Sequence, residues 1–415
     1  KIFITYGEHD LAENIVHMVL ARLPDAPAGA KGISLFIVPK FLPGPDGGPG
    51  QRNDLRCVSL EHKLGINASP TAVMAYGDGG GAIGELVGEP HRGLEYMFTM
   101  MNNARLSVGL QGVAIAERAY QQARDYARTR VQGRELGGGR ELDARADAPV
   151  AIIRHPDIRR MLMTMRALTE AGRALVYLAA AGLDLAKRHP DPAERARAQA
   201  RVDLLIPVVK AWCTDCGVEV ANIGLQVHGG MGFIEETGAA QHLRDARITP
   251  IYEGTNGIQA NDLVFRKLGR DQGAAAAEFF AELRALEARL ESGLATESSD
   301  DLAAIRRHLG AGLSALEEAT RWLVARQTAQ PRDAAAAAAP YLRLFGLVAG
   351  GAMMAKAALR AVAALRSRTG DSGFLEAKLV TARFFADHLL SQAPALLQPI
   401  QCGAPSVLGL ADERF

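Results

Sequence analysis

The sequence predicts an α+β protein that is mostly α. Three observations carry this prediction. β-Branched and aromatic runs separated by Gly/Pro stretches fill residues 1 to about 90, apolar residues recur three or four apart from Gly93 onward, and residues 270 to 415 are rich in Ala and Leu at helical spacing. The 415 residues are 48% hydrophobic and 22% charged, enough for two or three domains with sizeable cores.

In the first region the runs KIFITY, GISLFIVP and AVMAYGD read as strands, with long loops such as PGPDGGPG at 43–50 between them. The chain starts at Lys1 and passes straight into strand-like sequence, so it is expected to begin inside a domain. Tyr96 to Arg130 contains no proline and places Leu106, Leu110, Val113 and Ala116 along one face of a long helix. The charged, glycine-containing stretch 133–149 is expected as a loop. Pro156 opens a second helix with Ile158, Met161, Leu162, Met165 and Leu168 on one stripe. A third helix, about 195–224, is ended by the glycines of QVHGGMGF at 226–233. Leu302, Ile305, Leu309, Leu313 and Leu316 mark a further helical bundle, and Ala334 to Ala339 read as a loop or helix start before Pro340.

Several function classes are disfavoured by composition. Lys plus Arg number 47 against 46 Asp plus Glu, so the net charge of +1 gives no reason to expect nucleic acid or an anionic membrane as partner. Cys57, Cys213, Cys216 and Cys402 are too few and scattered for a disulfide framework, which suits a reducing compartment and the cytoplasm. The apolar run Leu344 to Ala355 falls short of the ~20 residues of a membrane span, and no transmembrane helix is expected. The CTDC motif at 213–216 lies in a helical pattern without a second CxxC or a suitably spaced histidine, so no metal is expected there.

The chemistry concentrates in ITPIYEGTNGIQ, residues 248 to 259. Glu253 stands where an apolar segment gives way to glycine-containing backbone that can lie against a ligand. Taken alone, such an acid is more often a solvated loop residue or a helix N-terminal charge than a catalyst. Upstream, Gly229, Gly230 and Gly232 would let backbone amides approach a phosphate, although tight turns need glycine too. Between the two, Arg244 and Asp245 are expected to pair with each other.

Together these motifs resemble the acyl-CoA dehydrogenase family of flavoproteins. IYEGTNGIQ is similar to the family's base-bearing segment, QVHGGMGF to its flavin pyrophosphate segment, RDARI to the link between them, and KIFIT to the strand against the flavin. The resemblance covers residues 1 to about 268. The C-terminal addition, about 270–415, and the phrases MFTMMNNARL and YEGTNGIQA are similar to the longer bacterial members, the 3-methylmercaptopropionyl-CoA dehydrogenase branch among them. It implies that residues 1–92 are the end of a β-barrel-like middle domain, 93–268 a four-helix domain and 269–415 an additional helical domain. The family's N-terminal helical domain is expected to be absent from this chain.

The resemblance implies FAD-dependent α,β-dehydrogenation of an acyl-CoA thioester. Glu253 matches the α-proton base, and its backbone N–H the donor to the thioester carbonyl. Gly254 resembles a position where the acyl chain passes close to the main chain; a simple turn glycine is the other reading. Phe3 would stack on the flavin, where Trp is more familiar, and Thr5 would place a hydroxyl near its N5/O4 edge; the alternative is an ordinary strand. Gln226, Gly229 and Gly230 would contact the dinucleotide, and Thr255, Asn256 and Gly257 its phosphate or adenine end. Arg130 and Gln132, in Arg-Val-Gln-Gly, resemble an Arg-x-x-Phe-Gly element that reaches a neighbouring subunit's flavin, with Gln132 where Phe is usual. Arg130 could also be a solvated helix-end cation. A homodimer or higher homo-oligomer is implied. Asn102 and Arg105 align with an Asp-x-x-Arg pair that meets CoA, one turn apart on one helix face. Electron-transfer flavoprotein is the implied electron acceptor. An acyl-CoA oxidase using dioxygen, a DNA-binding or damage-response flavoprotein, and a helical scaffold without flavin are the alternatives weighed against it.

Overall fold

A computed structural model describes residues 1–135, 148–296 and 300–415. Of the loop expected at 133–149, residues 136–147 lie outside the described residues. The chain divides into two compact units, Lys1–Ala104 and Arg105–Phe415.

The first unit is built from β1 (Ile2–Phe3), β2 (Val16–Arg22), β3 (Ile33–Pro39), β4 (Phe41–Pro43), β5 (Pro49–Arg52), β6 (Leu55–Leu60), β7 (Ala72–Tyr76) and β8 (Glu85–Val87). These pair antiparallel as three sheets, β1-β7-β6, β2-β3-β8 and β4-β5. The described strands therefore do not close into a barrel, which corrects the barrel-like expectation. Residues β1, β3 and β7 coincide with three runs named from sequence, but KIFITY is strand only at Ile2–Phe3, so Thr5 lies past the strand end. The core is small: Val19, Val38, Leu55, Ala72 and Met74, with Phe3, Phe36 and Tyr76 packed around it.

One buried polar group organises the unit. His17, opposite Val38 in the β2/β3 register, is 3% exposed. Its Nε2 lies 2.7 Å from the Gly7 carbonyl, and the Tyr76 hydroxyl is 2.8 Å from its Nδ1. A carbonyl can only accept, so Nε2 carries the proton and Tyr76 donates to Nδ1. Burial holds the imidazole pKa below its ordinary value.

The long helix α1 (Gly93–Thr129) carries the chain into the second unit, followed by α2 (Pro156–Arg188) and α3 (Pro192–His228). Pro156 and Pro192 open α2 and α3 at a position where no amide partner is needed, and the Asp191 carboxylate accepts from the Ala193 amide at 2.9 Å to cap α3. Gly229, at φ 60°, ends α3. Then come α4 (Ala239–Ala246), α5 (Asn256–Asn261), a π-helical stretch Asp262–Leu268, α6 (Gly269–Asp271), α7 (Ala274–Thr296), α8 (Asp300–Arg326), α9 (Pro331–Arg366), α10 (Ser372–His388), α11 (Leu397–Cys402) and α12 (Ala404–Leu408). Along α4, Arg244 pairs with Glu235 at 2.7 Å, and Gln241 donates to Asp245 at 3.3 Å.

One hydrophobic cluster runs from Leu106 to Ile400, so helices before and after residue 268 share a core. Its axis is α9, which begins at Pro331 and continues through Pro340. By length and composition α9 could cross a membrane, but 78% of its most apolar window is buried among the other helices. Trp212 of α3 joins the two halves: a Cβ on Gly346 would lie 2.3 Å from its Cγ, and one on Gly350 2.6 Å from its Cη2. The indole thus lies flat along one turn of α9, in a notch that two missing side chains create. Cys213 and Cys216 are buried in α3, where burial pushes both thiols up, and among the described residues no group of metal-ligating side chains forms.

Candidate active site

The segment 248–259 leaves α4 and folds back into α5. Thr249, 1% exposed, donates its hydroxyl to the Ala246 carbonyl at 2.8 Å, and the Asn256 amide donates to the Pro250 carbonyl at 2.9 Å to close the loop. The Tyr252 hydroxyl donates to Gln111 on α1.

At the tip, two successive residues are left-handed: Glu253 at φ 55° and Gly254 at φ 83°. A side-chain-bearing residue costs roughly 1–2 kcal/mol in that region, so something must hold it there. Gln259 does so. Fully buried, it donates its amide to the Glu253 carbonyl at 3.1 Å and to the Gly254 carbonyl at 3.3 Å. A Cβ on Gly254 would lie 2.9 Å from that same nitrogen, so glycine is required there by space as well as by φ. Glu253 is half-buried, and neither its carboxylate nor its backbone N–H has a hydrogen-bond partner among the described residues.

Below the turn, the contacts are dense. Thr255 caps α5 by accepting from the Ile258 amide at 3.3 Å. The Asn256 side chain is committed to α3: its amide donates to the Ala211 carbonyl at 3.1 Å, to Thr214 Oγ1 at 3.1 Å and to Asp215 Oδ1 at 2.7 Å, while its oxygen accepts from Lys210 Nζ at 2.9 Å. Lys210 is fully buried. Burial pushes its ammonium down to about 8, opposed by the carboxylates of Asp215 and Glu253 and reinforced by Arg105.

Arg105, expected at CoA, is only 4% exposed, and its Nη1 donates to Asp262 Oδ2 at 3.2 Å. Its Nη2 is 3.9 Å from the position a Gly254 Cβ would take, so the guanidinium lies under the turn. Asn102, three residues earlier on α1, is half-buried.

The expected flavin residues are spread more widely. Gln226, Gly229 and Gly230 are exposed at the end of α3, and nothing lies within 4 Å of a Cβ placed on either glycine. With Asn222, Leu225 and Phe233 they line a depression of about 420 Å³. Beneath it, His228 stacks on Tyr126 at 4.5 Å and is hydrogen-bonded through Nδ1 to the Gly224 carbonyl at 2.7 Å. Thr255 and Gly257 are exposed. Arg130 and Gln132 are exposed just beyond α1, on a strand-like stretch where the Gln132 amide donates to the Val150 carbonyl at 3.0 Å. In the first unit Thr5 is exposed, and the Phe3 ring packs 4.5 Å from His17.

The structure thus gathers Glu253, Gly254, Asn256 and Arg105 into one cluster. Sequence reasoning missed Gln259, Lys210 and Asp262 there. Lys210 was legible as a lone cation in the apolar run LLIPVVKAWC, and Gln259 as the polar residue one turn past the Thr255 cap.

Comparison with known proteins bears on the family of the chain. A family model described as acyl-CoA dehydrogenase, C-terminal domain, matches residues 91–142 and 140–268, and one described as acetyl-CoA dehydrogenase C-terminal like matches 275–411. The 3-methylmercaptopropionyl-CoA dehydrogenase of Ruegeria pomeroyi is 53% identical over 397 residues, which are 95% of this chain and 64% of that protein. The broad-specificity linear acyl-CoA dehydrogenase FadE5 of Mycobacterium tuberculosis is 35% identical over 429 residues, spanning 100% of this chain and 68% of that one. Among solved structures, the Bacillus anthracis acyl-CoA dehydrogenase complexed with FAD superposes with a TM-score of 0.69 at 19% identity, covering 96% of this chain and 62% of the other. Caenorhabditis elegans ACDH-11 in complex with C11-CoA gives 0.64 at 23% identity, covering 96% and 58%. These two show a shared fold. With identity this high over nearly its whole length, the chain belongs to the acyl-CoA dehydrogenase family.

Proposed function

We propose that this chain is the greater part of an FAD-dependent acyl-CoA dehydrogenase that converts an acyl-CoA thioester to its trans-2-enoyl form. The observation that carries the reading is the Glu253 turn. It is a carboxylate on a left-handed residue, clamped by Gln259 and left without a hydrogen-bond donor among the described residues. A base that must take a weakly acidic α proton needs its lone pairs free and its backbone fixed. The Glu253 N–H, also without an acceptor, supports its role as donor to the thioester oxygen, where negative charge develops.

The residues at 226–230 fit a pyrophosphate-bearing cofactor. Open backbone at two glycines beside an exposed glutamine amide leaves room for phosphate oxygens to approach N–H groups. Gln226, Gly229, Gly230, Thr255 and Gly257, with Arg130 and Gln132, would hold FAD, which when bound would accept the β-carbon hydride; for Phe3 and Thr5 of the first unit the flavin role is the one the resemblance implies. Asn256 holds Thr255 and Gly257 in place through α3 rather than offering its own amide. Gly254 leaves room beside the acyl chain. Asn102 would meet CoA, while Arg105 acts from beneath by fixing the turn. The reading carries with it electron-transfer flavoprotein as acceptor, a homodimer or higher homo-oligomer, a role in fatty acid β-oxidation and a cytoplasmic location.

The test is anaerobic flavin bleaching of the full-length protein with a panel of acyl-CoAs, 3-methylmercaptopropionyl-CoA included, alongside Glu253→Gln. Bleaching by the parent and its loss by at least about a thousandfold in the variant is the expected outcome. Equal rates in the two would remove Glu253 from the mechanism. Hydrogen peroxide formed in air by the reduced, product-bound enzyme would identify an oxidase instead.

A further inference from the structure

Arg130 is exposed one residue past the end of α1, and its guanidinium has no hydrogen-bond or ion-pair partner among the described residues. Two arginines on the segments that meet there are paired: Arg128 lies 3.9 Å from Asp125 and Arg154 2.9 Å from Glu135. A guanidinium without a carboxylate keeps its whole planar fork of N–H donors, which suits an anion with several oxygens.

Its backbone sets Arg130 apart from a frayed helix-end cation. The Arg130 amide donates to the Tyr126 carbonyl at 2.8 Å, and the Arg130 carbonyl accepts from the Ile152 amide at 2.8 Å. Val131 bridges Ala151 antiparallel, the Gln132 amide donates to the Val150 carbonyl at 3.0 Å, and the Val150 amide donates to the Gly133 carbonyl at 2.9 Å. Ile152 is 8% exposed and belongs to the main hydrophobic cluster, so this short ribbon is tied to the core. One side chain completes it. His155 Nε2 lies 2.7 Å from the Gln132 carbonyl, which can only accept, so Nε2 carries the proton and donates. Gly133, at φ 72°, turns the chain directly after that carbonyl, and a Cβ there would lie 3.5 Å from the same nitrogen. His155 is itself held from both sides: its amide donates to the Ile152 carbonyl at 3.0 Å, and its carbonyl accepts from the Arg159 amide at 3.0 Å.

We propose that residues 130–133 are a preset cationic arm for the pyrophosphate of FAD, and that His155 is the residue that positions it. This rests on the reading above that Arg130 holds FAD. A backbone fixed before the ligand arrives spares the ordering cost that a loose segment meets on binding, so the contribution of His155 shows in how long the cofactor stays bound. It acts through its N–H on the Gln132 carbonyl, not through contact with FAD. A histidine that served packing alone would be replaced as well by another flat ring without a donor.

The experiment follows the rate at which FAD leaves the full-length holoenzyme after dilution, read as the rise of free-flavin fluorescence, for the parent, Arg130→Ala, His155→Phe, His155→Gln and the Arg130→Ala/His155→Phe double variant. Arg130→Ala should release FAD at least about tenfold faster, as expected when a guanidinium on phosphate is lost. His155→Phe, which keeps a ring but has no donor, should release it about three- to tenfold faster, and His155→Gln, which places an N–H at a similar reach, should stay within about twofold of the parent. The double variant should release FAD no more than about twofold faster than Arg130→Ala alone, because His155 acts through the arm. Release from His155→Phe at the parent's rate overturns the proposal, as does equal release from His155→Phe and His155→Gln or a double variant in which the two factors multiply. Should His155→Phe lower Tm after the flavin has left, His155→Ala carries the same comparison with His155→Gln. The underlying reading is judged separately: Arg130→Ala at the parent's rate removes Arg130 from the FAD site, whereas fast release from Arg130→Ala beside an unchanged His155→Phe sinks this inference alone.

Discussion

Replacing Gly346 by alanine should destabilise the protein, and replacing Trp212 as well should cost less than the same replacement does in the parent. The added Cβ would lie 2.3 Å from Trp212 Cγ and 2.4 Å from Cδ1, about 1 Å inside ordinary contact, which begins at 3.4 Å. The neighbour is the stem of a rigid ring, 4% exposed, so it cannot swing aside as the end of a flexible chain would. Overpacking of this kind costs roughly 1–3 kcal/mol. Trp212→Ala alone should cost about 3–5 kcal/mol, because it opens a cavity between α3 and α9. In the double variant the alanine methyl enters space that the indole has left, so the two costs should fall short of their sum by about 1–2 kcal/mol. Urea unfolding of the full-length protein, followed by circular dichroism with the slope of the transition checked for constancy, measures all three. Costs that add to within about 0.5 kcal/mol would refute the notch as described.

Four further outcomes follow from the site and the first unit. Gly254→Ala combines a left-handed backbone with a 2.9 Å approach to the Gln259 amide and should lower kcat at least tenfold, read by steady-state turnover. Gln259→Leu removes both bonds that hold the turn and should lower Tm together with turnover, with about 1–3 kcal/mol lost in urea unfolding. Asp262→Asn removes the negative charge from the buried 3.2 Å pair with Arg105 and should cost about 3–5 kcal/mol by the same assay. His17 has a depressed folded-state pKa, so the stability it contributes is complete above its ordinary value of 6.5 and is lost as pH falls through the lower folded-state value. The difference in Tm between pH 7 and pH 5 should therefore be smaller in His17→Gln than in the parent, and an unchanged difference would contradict the depressed pKa.

The helices were legible because period and punctuation agreed. Pro156 opened its helix as expected, the glycines after His228 closed theirs, and α1 runs within three residues of the expected bounds at either end. The strands were less so. Three runs rich in β-branched and aromatic residues were found, but VHMVLAR at β2 was missed because a histidine occupies an inward position, where a polar letter reads as solvent-facing. Its burial depends on Gly7 and Tyr76, which lie 10 and 59 residues away. At the site, the motif located Glu253 but not the residues that hold it. Arg105 illustrates why: a surface contact and a buried ion pair look alike until Asp262, 157 residues on, is seen beside it. Long-range pairing of polar groups leaves no local period in a sequence.

The π-helical stretch Asp262–Leu268 has a consequence for how the Glu253 segment is tied down. Such a winding carries one more residue per turn than an α-helix, so the same chain could rewind to the tighter form by slipping one position. That slip would rotate Asp262 away from the Arg105 guanidinium, which is 4% exposed. The buried charge pair therefore fastens the register of the rod that connects Glu253 to the core formed with α9. A one-residue deletion within 263–267 is then the smallest change that could alter the aim of Glu253 without touching any residue around it.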